Sequence, residues 1–159
     1  MPLLLKGPSN WPLGTSTTPG FEGWIDIGSL QWGAGRTVTA GGAGGQPQAG
    51  RLTFSDITIS KQLDGTTASI AKAMQLPRPI DTMEVVELTD NANIAGLYPA
   101  LSLKVFNVFV DGYSVSSGGD RPSESISLNF TRITGTTLTP DIKGGNLIKD
   151  SWTYDALKG

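Results

Sequence analysis

Residues 123–133 read SESISLNFTRI, and their alternation of polar and apolar side chains decides the fold class of this chain. Successive side chains of an extended strand point to opposite faces, so Ile126, Leu128 and Phe130 share one face. Serine, asparagine and threonine share the other face. This pattern predicts an antiparallel strand with one face on a core and the other in solvent.

The same period of two runs through two longer stretches, but there it changes phase. In residues 51–60, RLTFSDITIS, the apolar positions shift by one residue around Ser55 and Asp56, which predicts a β-bulge. In residues 101–110, LSLKVFNVFV, they shift after Val105. Strands whose buried face changes midway are expected where a sheet curls over to close.

Further strands are predicted from apolar runs that lie between turn signals. These runs are PLLLKG at 2–7, FEGWIDIGSLQWGAGRTVT at 21–39 with a split near Gly28, TMEVVELTD at 82–90 and SWTYDAL at 151–157. The turn signals are Pro-Gly at 19–20, Asp-Gly at 111–112, SSGGDRPS at 116–123 and KGGN at 143–146.

One segment has helical spacing instead. In residues 66–77, TTASIAKAMQLP, apolar residues including Met74 recur at helical spacing, either threonine at the start can cap the first turn, and Pro77 ends the pattern. We therefore expect one short helix over about residues 66–76. The whole chain, 1–159, is expected to form a single domain that is all-β and mainly antiparallel, with this helix alongside.

Composition excludes several classes of function. Charged residues make up 16% of the chain and the formal net charge is −2, which argues against a nucleic-acid partner and against a basic membrane-binding face. The chain has no cysteine and no histidine, so disulfides, thiolate metal sites and the commonest acid–base catalyst are absent. We expect no cofactor, no metal, no membrane insertion and no enzymatic activity.

The N-terminal sequence lacks the features of a secretory leader. Three successive leucines precede Lys6, far fewer than the about 7 to 15 apolar residues of a signal-peptide core. If the protein is exported, we expect it to avoid the general secretory route.

The stretch GGAGGQPQAG, residues 41–50, is the most unusual in composition. It approaches the phosphate-binding pattern GxxxxGK[ST], but Arg51 and Leu52 stand where that pattern needs lysine and a hydroxyl. Glycine loses the most backbone freedom on ordering, so a glycine-rich loop over about residues 40–50 is costly to fix. We predict a mobile, protruding arm that orders against a partner surface.

Other candidate site residues have simpler interpretations. Glu84, Glu87 and Asp90 are expected on a solvated strand face and turn, and the four tryptophans are expected to pack internally or at a subunit contact. Two alternatives stay open. One is a monomeric ligand-binding barrel, for carbohydrate, with the tryptophans as its platform, and the other is a carboxylate-dependent hydrolase.

Two blocks of the sequence resemble a known family. Residues 50–74, GRLTFSDITISKQLDGTTASIAKAM, and residues 103–133, LKVFNVFVDGYSVSSGGDRPSESISLNFTRI, resemble the Hcp family, the haemolysin-coregulated proteins that build the inner tube of bacterial type VI secretion systems. The turn and strand GGDRPSESISLNF are the most specific part. Ala68 departs from the family, which often has proline there, and the N-terminal segment 6–20 is richer in proline than is usual.

The resemblance implies a fold and a function. The fold is a two-sheet β-barrel with one helix alongside, and phage tail tube proteins are a near alternative within the same structural class. The function is that of a tube subunit, which forms homo-hexameric rings that stack ring on ring into a hollow tube. Its partners are a sheath, a spike protein and the effector proteins that the lumen shelters. Assembly takes place in the bacterial cytoplasm, and the tube is then secreted without a signal peptide to the extracellular space or a target cell.

The resemblance also places subunit or ring contacts on two elements. The first is the glycine-rich arm and the second is the SSGGDRPS turn. The contact residues that we predict are Gly41, Gly42, Gly44, Gly45, Gln46, Pro47, Gln48, Gly50, Arg51, Gly118, Gly119, Asp120 and Arg121.

Overall fold

The computed structural model describes residues 2–41 and 44–157, which form thirteen strands and one helix. The strands are β1 (Leu3–Lys6), β2 (Ile25–Asp26), β3 (Ser29–Gln31), β4 (Ala34–Gly35), β5 (Val38–Thr39), β6 (Gln48–Ala49), β7 (Thr53–Phe54), β8 (Ile57–Gln62), β9 (Ile80–Asn91), β10 (Ile94–Ser116), β11 (Ser123–Asn129), β12 (Arg132–Pro140) and β13 (Leu147–Asp155). The helix α1 (Thr67–Ala73) lies between β8 and β9. The predicted fold class, antiparallel β with one short helix, is confirmed.

Two sheets share the long strand β10. Sheet A has the order β2-β1-β9-β10-β12-β13, and sheet B has the order β10-β11-β8-β3. β10 is 23 residues long, and its register passes from β9 and β12 to β11 between Phe106 and Phe109. Asn107, in between, has φ 56°, a left-handed conformation that bends the strand. The predicted phase change after Val105 is therefore confirmed, because it marks the bend from one sheet to the other.

The two sheets also join on their other side. The backbone N–H of Ile27 donates to Leu3 of sheet A (3.0 Å), and that of Gly28 donates to Ser60 of sheet B (2.6 Å). The chain thus leaves β2 in one sheet and enters β3 in the other, as the predicted split near Gly28 requires. Joined at β10 and again here, the two sheets form a barrel-like layer around one core.

The core confirms the alternation in residues 123–133. Ile126, Leu128 and Phe130 are buried, and they pack with Ile57 and Ile59 of β8. Neighbouring Ser125 and Asn129 are exposed on the opposite face of β11.

Several local predictions are corrected. The phase change at Ser55 and Asp56 is not a bulge but the break between β7 and β8, which pair with different strands. Asp111–Gly112 is not a turn, because it lies inside β10, where a register shift between Val110 and Gly112 forms a bulge. Met74 shares the helical spacing of the buried Ile70 and Ala73, but it is 45% exposed because it lies at the end of the helix.

The helix begins differently from the prediction. Thr66 is the N-cap residue, but its side chain makes no capping bond and instead donates to Asp64 Oδ1 (2.6 Å). Asp64 also accepts from the Thr66 backbone N–H (2.8 Å), so a carboxylate ahead of the cap organises the first turn. The described part of the chain contains no helix with the length and apolarity that crossing a membrane requires.

Candidate assembly interface

The glycine-rich arm is a two-stranded ribbon. We define the arm as residues 33–55, of which the structure describes all but 42 and 43, so the predicted contact residue Gly42 lies outside the described residues. β4 pairs with β7, and beyond them β5 pairs with β6. The loop expected over about residues 40–50 is therefore shorter, because Gln48 already belongs to a strand.

Glycines are required at three places in the arm. A side chain at Gly41 would lie 2.5 Å from the carbonyl carbon of Gly45, and one at Gly50 would lie 2.8 Å from Thr37 Oγ1. Gly44 has φ 80°, a conformation that L-residues rarely adopt. The glycines thus allow close approach and a tight turn within the ribbon.

The described residues of the outer half of the arm are largely open to solvent. Residues 44–51 are all exposed, and Gly41 is half-buried. Arg51 is exposed but makes a contact outside the arm. Its Nη2 donates to the carbonyl oxygen of Ala156 (2.5 Å) and fixes the arm to the C-terminal turn. Its predicted role in contacts between subunits stays a prediction.

The second predicted contact element, residues 116–123, is pinned to the end of β8. Arg121 Nη2 donates to the carbonyl oxygen of Leu63 (2.9 Å), and the Leu63 N–H donates to the carbonyl oxygen of Pro122 (3.1 Å). Gly118, Gly119 and Asp120 are all exposed, and Gly119 has φ 104°. Arg121 therefore has an intramolecular partner that sequence reasoning did not supply.

The two predicted contact elements lie at opposite ends of one strand. The arm returns to the barrel immediately before Ile57, where β8 begins, and the turn at 116–123 is held just after β8 ends. Six residues of strand span about 20 Å. The structure thus does not bring the two elements into one site but places them at opposite ends of sheet B.

An apolar end surface was missed by sequence reasoning. The β9–β10 turn and the β12–β13 turn meet, since a side chain at Gly144 would lie 2.9 Å from Asn93 Nδ2. Near these turns, Leu97, Ile142 and Ile148 have exposed fractions of 44%, 102% and 55%. An apolar residue at the tip of a turn signal is the one sequence feature that could have indicated this surface.

A buried charged cluster was also missed. Lys61 Nζ forms ion pairs with Asp64 Oδ1 (2.9 Å) and with Glu124 Oε2, and Tyr113 Oη donates to Glu124 Oε1 (2.5 Å). Lys61 and Glu124 are 2% and 1% exposed. The alternation of strand faces could have indicated that Lys61 is buried, because it follows Ile57 and Ile59 at a spacing of two.

The cluster shifts the titration of two of its members. Burial raises the pKa of Tyr113 and the neighbouring Glu124 carboxylate raises it further, to about 12. Burial also tends to raise the pKa of Asp64, but hydrogen bonds from Thr66 and Lys61 outweigh it and lower that pKa below its ordinary value. The cluster is thus built around an ionised Asp64 and a protonated Tyr113.

Glu84 lies on a strand face as expected, but it is half-buried and not fully solvated. Glu84 accepts from Ser102 Oγ (2.8 Å) and stands in register between Lys6 and Lys104 on the flanking strands, as a charged strand face does.

The four tryptophans do not share one platform. Trp32 packs near Tyr154 and Trp152 covers Gly135, whereas the other two line a cavity of about 180 Å³. All four are half-buried. Within residues 2–41 and 44–157, no three side chains of the metal-binding types come together.

Comparison with known proteins gives one family and one fold. The sequence profile of the family described as "Type VI secretion system effector, Hcp" matches residues 5–136. A solved structure described as a type six secretion system protein matches with TM-score 0.85 and 22% identity, covering 99% of this chain and 96% of its own. Hcp1 from Salmonella typhimurium matches with TM-score 0.74 and 17% identity, covering 99% and 95%.

A third solved structure has the same fold. A type VI secretion system effector from Yersinia pestis matches with TM-score 0.69 and 18% identity, covering 96% of this chain and 98% of its own. Among curated proteins, none matches this sequence significantly.

Proposed function

The chain belongs to the Hcp family of type VI secretion proteins, and from this membership we propose that it is a structural subunit of the secretion tube. Six copies close into a ring, and rings stack into a hollow tube. The role is mechanical, with no bond made or broken. The tube assembles in the bacterial cytoplasm with sheath and spike partners, carries effector proteins and leaves the cell without the general secretory route.

The observation that carries this proposal is the arm. It projects a glycine-rich ribbon from the barrel, and residues 44–51 present their side chains to solvent. Apart from the Arg51 contact with Ala156, the hydrogen bonds of its described residues run between its own two sides. Within the arm, Phe54 at the root packs on the barrel, whereas residues 44–51 are exposed. An exposed outer segment of this kind gains its ordering energy from another surface, and a second copy supplies one.

The positions of the contact elements support assembly in one direction. The arm and the 116–123 turn lie at opposite ends of β8, so a contact between them on two copies is head to tail. Head-to-tail contacts close into a ring or continue as a stack, depending on the rotation between copies. The apolar end surface of Leu97, Ile142 and Ile148 offers a further area for ring-on-ring contact.

The test shortens the arm without disturbing the barrel. Residues 40–47 are replaced by Asn-Gly, a two-residue turn that can join Thr39 to Gln48, which are already paired. We expect self-association to weaken by at least about tenfold, or about 1.4 kcal/mol. Native mass spectrometry and negative-stain imaging measure it, with Gln75→Ala on the exposed end of the helix as the control.

Two outcomes would contradict the proposal. One is a wild-type protein that stays monomeric at high concentration and forms no annulus. The other is a shortened variant that keeps the thermal unfolding midpoint of the wild type and assembles as the wild type does.

A further inference from the structure

Part of the edge of β9 in sheet A has no neighbouring strand. β1 runs beside β9, and their register ends at the pair Lys6–Glu84. β9 begins four residues earlier, at Ile80, and over residues 80–83 it pairs with β10 alone. Within the described chain, β1 and β10 are the only strands beside β9. Residues 80–83 therefore form an open edge next to the end of β1.

The backbone groups that face this open edge follow from one hydrogen bond. The Leu88 N–H donates to the carbonyl oxygen of Pro2 (2.9 Å), so the backbone of Leu88 points toward β1. Alternate residues of a strand direct their N–H and C=O groups to the same side. Glu84 therefore turns these groups toward Lys6, and Thr82 turns its groups toward the gap beyond β1. Unpaired groups of this kind are a template for pairing with another chain.

The open edge lies in a groove of about 820 Å³. The lining comes from the two segments that flank the edge, residues 6–11 and 76–84, together with Lys104. Pro77 and Pro79 restrict the backbone just before β9, which stiffens that side of the groove. Trp11 and Leu76 add apolar surface, and Leu76 is 50% exposed. Flanked in this way, the edge admits one extended segment, of which four residues span about 13 Å.

Three cations line the groove and have no ionic partner. Lys6, Arg78 and Lys104 are exposed, and none of them forms an ion pair with a carboxylate of the described residues. A strand added along the open edge continues the line of β1, so its residue opposite Thr82 shares the face of Lys6. Lys104 stands on that face across β9, in register with Glu84. A carboxylate on the added residue would thus lie near two lysines.

The carboxylates of the groove indicate which kind of partner fits. Asp81 and Glu84 also line it, so three cations less two carboxylates leave a net charge of +1. Ser102 Oγ donates to Glu84 Oε1 (2.8 Å) and holds that carboxylate on the floor. A run of successive phosphates would be repelled by these carboxylates. A peptide with one acidic side chain between apolar ones matches both the lysines and the apolar surface.

We propose that residues 80–83 receive an extended acidic peptide segment of a partner protein. The segment adds to sheet A antiparallel to β9, as β1 does, and places its carboxylate near Lys6 and Lys104. Backbone hydrogen bonds with Thr82 supply the pairing, and the lysines supply the preference for an acidic residue. A strand of a second folded barrel would bring its own sheet against the flanking segments, so the occupant is a segment outside a sheet. The proposal does not depend on the formation of rings.

The experiment uses the full chain and a defined probe peptide. The probe is acetyl-Thr-Val-Glu-Val-Thr-amide with an uncharged fluorescent dye at one end, and fluorescence anisotropy measures its binding. Hydrogen exchange of residues 80–83 locates the bound peptide. One matched peptide carries glutamine in place of glutamate, and another carries an N-methyl group on the glutamate backbone. The protein variants are Lys104→Gln and, as the control with the same change of charge, Lys149→Gln on β13.

We expect the probe to bind the wild type with a Kd below about 1 mM and to slow exchange of residues 80–83. The glutamine peptide should bind about two- to fivefold more weakly, and Lys104→Gln should weaken binding of the probe by a similar factor. The N-methyl peptide should bind at least about fivefold more weakly, because it lacks the N–H that pairs with Thr82. Lys149→Gln should bind the probe as the wild type does.

Several results would overturn the proposal. Absence of binding at about 1 mM probe, or equal binding of the N-methyl peptide, would exclude addition of a strand. Equal binding by Lys104→Gln and Lys149→Gln would exclude selection of a carboxylate at this groove. Exchange of residues 80–83 that slows with protein concentration alone would assign the edge to a second copy. Displacement of the probe by a thymidine oligonucleotide would assign the groove to a polyphosphate.

Discussion

The two ends of β8 handle charge in opposite ways. At its C-terminal end, Lys61 is buried between two carboxylates, Asp64 and Glu124, each within ion-pair distance. At its N-terminal entry, Asp56 lies on a partly exposed surface, where its carboxylate accepts hydrogen bonds from Ser127 and Asn129. Burial and the Asp56 carboxyl raise the pKa of Asp111 above its ordinary value. One end holds opposite charges in direct contact, and the other holds a carboxylate whose hydrogen-bond partners are uncharged.

This difference assigns different tasks to the two ends. Breaking a buried set of opposite charges costs several kcal/mol, so the C-terminal end fixes the helix and the 116–123 turn to the barrel. An interaction between partly exposed charges contributes at most about 1 kcal/mol to the free energy of unfolding, which is small enough for a change in pH to offset. The arm is attached at the N-terminal end of β8, which we call the adjustable end, and the 116–123 turn is attached at the C-terminal end, which we call the fixed end.

The largest effect is expected from removing the Lys61 charge at the fixed end of β8. Lys61→Met leaves Glu124 buried without its cation, and we expect the free energy of unfolding to fall by about 3–5 kcal/mol. Urea unfolding at a fixed protein concentration measures the change. Lys72→Met, on the exposed face of the helix, is the matched control and should change stability by less than about 0.5 kcal/mol.

A second variant keeps this prediction testable if Lys61→Met does not fold. Lys61→Met combined with Glu124→Leu removes the Lys61–Glu124 ion pair and leaves apolar side chains of similar length, while Asp64 keeps its hydrogen bonds from Thr66. Replacing a buried ion pair in this way is often close to neutral, so the double variant should be more stable than Lys61→Met alone. Equal instability of the two variants would show that the unpaired Glu124 carboxylate does not set the cost.

The next largest effect is expected from the Tyr113 hydroxyl, which donates a hydrogen bond to Glu124 at the fixed end of β8. Tyr113→Phe deprives Glu124 Oε1 of its donor, and we expect a loss of about 1–2 kcal/mol in the free energy of unfolding. Because the pKa of Tyr113 is raised from 10.0 to about 12, the wild type holds its stabilisation below pH 10 and loses it as the pH rises to about 12.

Comparing the wild type with Tyr113→Phe separates this loss of stability at alkaline pH from the loss caused by other titrating groups. Wild type and Tyr113→Phe should differ in stability at neutral pH and converge between pH 10.0 and about 12. Tyr154→Phe removes a hydroxyl from a ring that packs near Trp32 and serves as the control. A difference between wild type and Tyr113→Phe that stays constant across this range would contradict a hydrogen bond to Glu124.

Much of the fold could be predicted because burial in strands has a period of two. The alternation from Ile126 to Phe130, the split near Gly28 and the phase change after Val105 all mark real features of the barrel. Asp111–Gly112 misled because the same dipeptide that favours a hairpin turn also suits a bulge. Only the pairing partners of β10 decide between the two.

The candidate site was harder to predict than the fold. Parity alone would place Lys61 and Glu124 on the core face, a signal that the sequence analysis did not use, and nothing local indicates that their two strands stand in register as neighbours. The hydrogen bonds of Asp56 with Ser127 and Asn129 join the segment before β8 to β11, so they depend on the order of strands in the sheet. Sequence spacing carries no information about such cross-strand partners.

The smallest effect is expected at the N-terminal entry to β8. There, replacing Asp111 or Asp56 by asparagine should change the free energy of unfolding in opposite directions. Asp111→Asn removes repulsion, and we expect it to raise the free energy of unfolding by up to about 1 kcal/mol at neutral pH. This gain should vanish below pH 3.8, where the wild-type Asp111 is protonated in both folded and unfolded states.

Asp56→Asn should instead lower stability at neutral pH, because Ser127 and Asn129 lose a carboxylate acceptor. The pKa of Asp56 is lowered on folding, so its ionised form stabilises the folded state above pH 3.8, and this contribution is lost as the pH falls through the lowered pKa. Thermal unfolding of both variants between about pH 3 and about pH 8 measures the two trends. If both substitutions shift stability in the same direction, the carboxyls act as independent surface charges and the contrast between the two ends of β8 is lost.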